Sequence, residues 1–427
     1  MQKGVKPMGL NQTPAGERIH IGFFGMRNAG KSSVMNAVIG QDLAVVSDIK
    51  GTTTDPVYKS MELLPLGPVL MMDTAGIDDE GELGSLRIKK SLQILNKTDA
   101  AVLVVDGTTG LGEEDKKLLE KIEKKQIPYI VAVNKADLWK DSDEKRIFAE
   151  NLKRELPDSA HLLFISAKTG KGIGELKEKL AYLAKENNIK KPLVSDLINP
   201  SDLVILVIPI DKAAPKGRLI LPQQQTIRDI LDSGAMALTV QDNQLQQTLK
   251  EIGKKPKLVV TDSQVFKQVA DITPKDILLT SFSILFARYK GNLESAVLGV
   301  KALEQIQDGD RILISEGCTH HRQCGDIGTV KLPNWIRQYT GKEPCFEFTS
   351  GQEFPEDLRK YRLVVHCGGC MLGEKEMKYR TGCAQDQNVP MTNYGILIAC
   401  IQGILKRSVE PFPQISRILE KSRMSEE

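Results

Sequence analysis

Ile19-His-Ile-Gly-Phe-Phe-Gly25-Met-Arg-Asn28-Ala29-Gly30-Lys31-Ser32 sets a short apolar run directly before a glycine-bounded turn that ends in Lys-Ser, and Ser33 to Ile39 continues with a helical apolar pattern. Strand, Gly-x-x-x-x-Gly-Lys-Ser and helix is the context in which such a turn binds phosphate. Its glycines let backbone N–H groups curl around the anion. Lys31 then reaches the β and γ oxygens, and the Ser32 hydroxyl ligates Mg²⁺. The chain therefore begins as an α/β protein with a nucleotide site at the end of its first strand.

The strand ends that follow carry matching pieces. Asp73-Thr-Ala-Gly76 comes after the apolar run Pro68 to Met72, where Asp73 holds Mg²⁺ through water and the Gly76 N–H reports the γ-phosphate. Asn134-Lys135-Ala136-Asp137 comes after Ile127 to Val133. A carboxylate at Asp137 accepts hydrogen bonds from the two N–H donors of guanine, which adenine lacks, so the site is predicted to prefer GTP. Ser166-Ala167-Lys168, after Leu162 to Ile165, backs the base with main-chain N–H. The expected nucleotide contacts are thus Gly25, Asn28, Ala29, Gly30, Lys31, Ser32, Ser33, Asp73, Asn134, Lys135, Asp137, Ser166, Ala167 and Lys168.

Four motifs in this order make residues 17 to 185 resemble the TrmE/Era-like branch of the translation-factor-related GTPases. In that resemblance Gly51-Thr52-Thr53-Thr54-Asp55 matches switch I, with Thr54 in place of the family's Arg, and Thr53 ligates Mg²⁺ in the GTP state. Lys31, Thr53, Gly76 and Asp79 form the expected hydrolytic group. Asp79 matches an acidic residue that orients water in some relatives, although it also reads as a loop carboxylate in Asp78-Asp79-Glu80. Ile77 stands where Ras-like enzymes carry a water-positioning Gln, and an aliphatic side chain orients no water. Relatives without that Gln use a monovalent cation held in part by a P-loop Asn. The resemblance therefore implies slow, K⁺-stimulated hydrolysis through Asn28.

At 427 residues, 41% of them hydrophobic and 26% charged, the chain has room for two to four domains with cores of their own. A net charge of only +3 gives no case for nucleic acid or a membrane surface as partner. Met1 to Arg18 is polar with no signal-like apolar run, so a cytoplasmic location is expected. All 7 cysteines lie beyond residue 317, and three of the 5 histidines lie among them. In a reducing compartment that clustering points to metal or thiol chemistry rather than disulfides.

After the amphipathic stretch Gly174 to Glu186, residues 187–200 read as a linker. Asp202 to Ile210 is a β-branched apolar run, followed by alternating helix and strand patterns at Gln223–Leu231, Met236–Val240, Asn243–Ile252, Pro256–Thr261 and Ser263–Ile272. The alternation predicts a small parallel α/β unit over 201–273. It carries neither Cys nor His, so self-association, as a homodimer or tetramer, is its expected role.

In the remainder, 274–427, Arg311 to Ser315 leads to Glu316-Gly-Cys318-Thr-His320-His321, and Tyr361 to Val365 leads to His366-Cys367-Gly-Gly-Cys370. Two strand ends bring soft donors toward one point. Such a donor set suits zinc or an iron-sulfur centre.

Cys318-Thr-His320, a spacer of residues 321–365 and His366-Cys367-Gly-Gly-Cys370, behind an N-terminal GTPase, resemble the FeFe-hydrogenase maturation GTPases, the HydF family, over the whole chain. The spacer sits at or just below the short end of the family's range. The resemblance implies a [4Fe-4S] cluster on Cys318, Cys367 and Cys370, with His320 or His366 as fourth ligand or as a neighbour of the sulfurs, and Glu316 as a weaker oxygen donor. It also implies a transient di-iron subcluster built by two radical-SAM maturases and passed to the apo FeFe-hydrogenase. Cys324 and His321 are rival ligands, while Cys345, Cys383 and Cys400 read as structural. The whole is expected to be a three-domain α/β protein: a P-loop GTPase (1–186), a parallel self-association domain and an α/β iron-sulfur domain. Two other readings stand beside it, a regulatory GTPase with structural zinc and an RNA-modification or ribosome-assembly GTPase.

Overall fold

The computed structural model describes residues 18–40, 47–49, 57–74, 91–139, 142–157, 160–186, 191–210, 219–317, 326–351 and 353–424. The chain divides into two compact units, Met1–Lys190 and Lys191–Glu427.

The first unit is built on β1 (Ile19–Phe24), β2 (Ser47–Ile49), β3 (Val57–Leu63), β4 (Gly67–Asp73), β5 (Ala100–Asp106), β6 (Tyr129–Asn134) and β7 (His161–Phe164). These form one sheet in the order β2-β3-β4-β1-β5-β6-β7. From β4 to β7 neighbouring strands are parallel, and β2 and β3 extend the sheet antiparallel. β1, β5 and β6 are buried almost throughout, which is why they read as unbroken apolar runs rather than as alternation. The helices Lys31–Ile39 and Ile173–Glu186 cover one face through Val34, Val38, Leu176 and Leu180. Glu113–Lys124 covers the other through Leu118, Leu119 and Ile122. The motif-bearing loops leave the carboxyl ends of β1, β4, β6 and β7, the edge where parallel sheets bind ligands.

The second unit holds two all-parallel sheets. One contains β8 (Leu203–Val207), β9 (Met236–Val240), β10 (Leu258–Thr261) and β11 (Leu278–Ser281), in the order β11-β10-β8-β9. The other contains β12 (Arg311–Glu316), β13 (Cys345–Ser350), β14 (Leu363–His366) and β15 (Met391–Asn393), in the order β13-β12-β14-β15. One continuous apolar core runs through both, from Val204 and Val260 to Ile312, Val365 and Ile396.

β11 corrects the sequence boundary at residue 273, because it completes the first of these sheets from the far side of that boundary. Leu278-Leu-Thr-Ser281 passes straight into the helix Phe282–Tyr289, and its four residues are too few to break the helical pattern that follows. Cys345 opens the edge strand β13 and is exposed, not packed. Cys383 and Cys400 are partly buried against the apolar cores, as structural cysteines are.

Candidate functional site

In the first unit the turn after β1 is shaped by what crosses it. Gly30 adopts φ +90°, and a Cβ there would lie 2.3 Å from Asn134 Nδ2, so only glycine fits both the backbone and the space. Lys31, buried, donates to the carbonyls of Gly25 at 3.0 Å and Met26 at 2.8 Å, which lays its ammonium across the mouth of the loop. The Ser32 hydroxyl donates to Asp73 Oδ2. Burial pushes the Asp73 carboxyl above the usual carboxylate range, against the lowering effect of Ser32 and Lys31. Its other oxygen, Oδ1, is buried without a hydrogen-bond partner. An orphaned carboxylate oxygen next to a hydroxyl, in a desolvated pocket, fits a hard divalent cation such as Mg²⁺. Asn28 is exposed on the rim of the loop in the left-handed region, φ 62°.

The loops expected to recognise the base are tied together by side-chain hydrogen bonds. Asn134 donates through Nδ2 to Ala29 O at 3.0 Å and accepts at Oδ1 from Ala167 N–H at 3.0 Å, tying the phosphate loop to the loop after β7. Asp137 accepts from the Ser166 hydroxyl at 2.6 Å. That bond, with the Lys168 charge nearby, holds its carboxyl below the usual range and so ionised. Lys135, also left-handed, pairs with Asp106 Oδ2 at 2.5 Å. Sequence reasoning missed Asp106, which belongs to no motif. Its signal was an acid ending an apolar strand beside the strand that delivers Lys135.

Asp137→Asn is expected to weaken GTP binding about a hundredfold, since two charge-assisted hydrogen bonds give way to an amide facing donors. XTP, with a carbonyl where guanine has an amino group, should gain in the same variant. Parallel titrations with the two nucleotides check both directions.

In the second unit, β12 and β14 run side by side with Ser315 opposite His366. Gly317 N–H donates to Cys367 Sγ at 3.0 Å and Gly369 N–H reaches the same sulfur at 3.4 Å. Gly369 has φ +62°, and a Cβ on it would lie 2.7 Å from Met377 Sδ, so the turn between the two thiols requires glycine. Burial pushes the Cys367 thiol up, and burial together with its neighbour Cys367 pushes Cys370 up to about 11. Thiols so placed ionise when a metal displaces their protons. N–H donors aimed at sulfur are what iron-sulfur centres use to tune themselves. The donor set fits such a group.

His366, one of the two histidines expected as fourth ligand or as a neighbour of the sulfurs, has partners of its own. The ring is fully buried, with Nδ1 2.8 Å from Cys367 O and Nε2 3.0 Å from Arg380 Nη1. A guanidinium only donates, so Nε2 accepts and Nδ1 carries the proton. Both nitrogens are engaged within the protein: the Nδ1 proton goes to Cys367 O, and the one in-plane lone pair, on Nε2, is taken by Arg380. Arg380 is itself held by Glu376 at 2.9 Å, Gly351 O at 2.8 Å and Ser315 Oγ at 3.4 Å. The sequence showed His366 only by its spacing from Cys367, and nothing local announced an arginine on a helix beginning at Glu374.

Burial and the Arg380 charge lower the His366 pKa from 6.5 to about 3. The unfolded chain therefore binds more protons between those values, and the stability from this group, complete above about pH 6.5, falls as pH drops, by at most about 1.4 kcal/mol per pH unit. Urea unfolding of the metal-free chain near pH 7 and near pH 5 checks this: wild type should lose more stability on acidification than His366→Asn.

Glu316 is buried and accepts from Tyr394 OH at 3.2 Å. Among the described residues no group of three or more His, Cys, Asp or Glu is poised to hold a metal ion. Thr53, Gly76, Ile77, Asp79, Cys318, His320, His321 and Cys324 lie outside the described residues. No helix among the described residues is long and apolar enough to cross a membrane.

A seven-stranded sheet with a phosphate loop, a Ser32–Asp73 pair and the Asp137 carboxylate held by Ser166 defines a P-loop GTPase. Family profiles agree: one described as 50S ribosome-binding GTPase matches residues 20–135, and one described as elongation factor Tu GTP binding domain matches 88–186. Two more, described as hydrogen maturase F dimerization domain and hydrogen maturase F tetramerization domain, match 193–291 and 294–411. The chain belongs to the hydrogen maturase F (HydF) family, and these two domains support homo-oligomerisation. Among curated proteins it is similar to the GTPase Der of Kosmotoga olearia, 29% identical over 217 residues, covering 49% of this chain and 48% of that one. It is also similar to the tRNA modification GTPase MnmE of Thermotoga petrophila, 35% identical over 178 residues, covering 40% and 38%. The chain thus spans about half or less of the length of these relatives.

Proposed function

We propose that the chain is a GTP-hydrolysing scaffold and carrier that holds a [4Fe-4S] cluster on Cys318, Cys367 and Cys370 and passes a di-iron subcluster to apo FeFe-hydrogenase. The observation that carries this reading is the 3.0 Å contact from Gly317 N–H to Cys367 Sγ. Cys318 follows Gly317 directly in the sequence, and we read its thiol as the third donor to the centre that Cys367 and Cys370 would hold. Cys318, Cys367 and Cys370 would hold such a cluster with one position not taken by a thiolate, which would supply the exchangeable site that a carrier needs. The protein's part is to hold the thiols, donate N–H to sulfur and keep both His366 nitrogens engaged with Cys367 O and Arg380. His320 then remains as the imidazole donor of the pair.

Two radical-SAM maturases supply the di-iron unit in this reading, and a homodimer or tetramer in the cytoplasm presents it. Hydrolysis is slow, uses Mg²⁺ held by Ser32 and Thr53 with Asp73 behind them, and is stimulated by K⁺ at Asn28. Asp79 and Gly76 act on the water and the γ-phosphate. The functional division is a GTPase over 1–186, a linker over 187–200, a self-association region from 201 and a cluster region reaching 427. GTP times partner exchange rather than performing metal chemistry, because nucleotide shifts a conformational equilibrium only through differential affinity. The test is activation of apo-hydrogenase by protein loaded with the di-iron unit. Activation that depends on Cys318 and slows in a Lys31→Ala chain supports the reading. Activation of equal rate and extent in that variant contradicts the role of GTP, and no activation contradicts the carrier role.

A further inference from the structure

Beyond the thiols themselves, the Cys367–Leu372 loop is braced from outside. Its start is fixed by Cys367 N–H donating to Ser315 O at 2.9 Å, and its turn closes with Leu372 N–H to Gly369 O at 3.0 Å. Its end is held by Lys290, whose Nζ donates to Leu372 O at 2.7 Å. Lys290 is only 3% exposed, an unusual place for an ammonium. It caps the carboxyl end of the helix Phe282–Tyr289, with its own N–H donating to Phe286 O. That helix starts at Ser281, the last residue of β11, whose side chain accepts from Ile284 N–H. Along its length Ser283 accepts from Gly395 N–H and from Asn393 Nδ2, each at 3.2 Å, just past β15 and at its end. One rigid helix therefore links the first sheet of this unit to the second and sets a buried positive charge under the loop that bears Cys370.

We propose that Lys290 is a positioning residue of the metal centre, whose charge raises the reduction potential of a cluster held by Cys367 and Cys370. The proposal rests on the reading that these thiols hold iron and sulfide. Three thiolates on a [4Fe-4S] core leave a net negative unit, and one-electron reduction makes it more negative. A desolvated cation nearby stabilises the reduced form more than the oxidised one. The same charge opposes the upward push of burial on the Cys370 thiol. Arg380 acts in the same direction on Cys367 and Glu316 in the opposite one, but Arg380 is paired with Glu376 in the fold and serves mainly to hold His366. Lys290 reaches the loop from the region matched by the dimerization profile, residues 193–291, so the first sheet has a direct mechanical and electrostatic path to the cluster loop.

The test uses the full chain, reconstituted anaerobically with iron and sulfide, as wild type, Lys290→Met and Lys290→Arg. Iron content is measured, and the [4Fe-4S] couple is titrated by EPR with dithionite as the one-electron donor. The expected result is a midpoint shifted to more negative potential in Lys290→Met, with the wild-type value restored in Lys290→Arg. Should Lys290→Met take up no iron while Lys290→Arg loads like wild type, the charge is shown to be needed for loading itself. Equal midpoints in all three chains overturn the proposal, as do equal shifts or equal iron losses in the two variants, which would mark a shape effect alone. A wild-type chain without a cluster overturns the underlying reading as well, and is told apart by the iron assay.

Discussion

A Lys31→Ala chain is expected to turn over GTP about a thousandfold more slowly than wild type at saturating nucleotide. Lys31 is buried at the mouth of the phosphate loop, and its ammonium already lies within 3.0 Å of the Gly25 and Met26 carbonyls. A triphosphate entering the loop exchanges those neutral acceptors for anionic oxygens, whose charge shifts further as the bond to the γ-phosphate breaks. A preorganised donor in a water-poor site contributes about 3–4 kcal/mol to such a transition state, and each 1.36 kcal/mol is about a factor of ten in rate. The fold should survive, because the side chain reaches loop carbonyls rather than the apolar core. Phosphate release over time, with a thermal melt of the same sample, measures both. Turnover within tenfold of wild type would mean that another cation serves the phosphates.

Cys367→Ser is expected to abolish cluster binding altogether. Serine is nearly the same size, so the loop should close as before, with Gly317 and Gly369 N–H pointing at an oxygen. The loss is chemical. A hydroxyl in this buried setting stays protonated, and a hard oxygen is a poor partner for iron in a sulfide core. Cys400→Ser and Cys383→Ser are internal controls: both residues are partly buried against apolar cores and belong to neither motif, and both variants should bind iron like wild type.

The nucleotide site was legible because its chemistry is local. Gly30, Lys31 and Ser32 are consecutive, and each remaining loop follows an apolar run that reads as a buried strand. What escaped was the cross-bracing, Asn134 to Ala29 and Ala167, and Lys135 to Asp106, because partners 29 to 105 residues apart leave no pattern in the chain. The second unit was half legible. β8, β9, β10, β12 and β14 announce themselves as apolar runs, whereas β11, β13 and β15 do not. β11 merges into a helix, β13 is a half-exposed edge reading Cys-Phe-Glu-Phe-Thr-Ser, and β15 has three residues. At the thiols the sequence supplied the donors but not their surroundings. His366 looks like a ligand by spacing, and only tertiary packing sets Arg380 against its Nε2.

In the proposed reading the ends of β12 and β14 together hold an iron-sulfur cluster in a GTPase. The most direct test is the absorption and EPR spectrum of the full chain after anaerobic reconstitution with iron and sulfide, recorded beside Cys367→Ser. A broad charge-transfer band and, on reduction, the signal of a [4Fe-4S]⁺ centre are expected, both absent from the variant. A colourless chain that keeps one zinc ion through the same treatment would contradict it, and would make the cysteine pair a structural clasp.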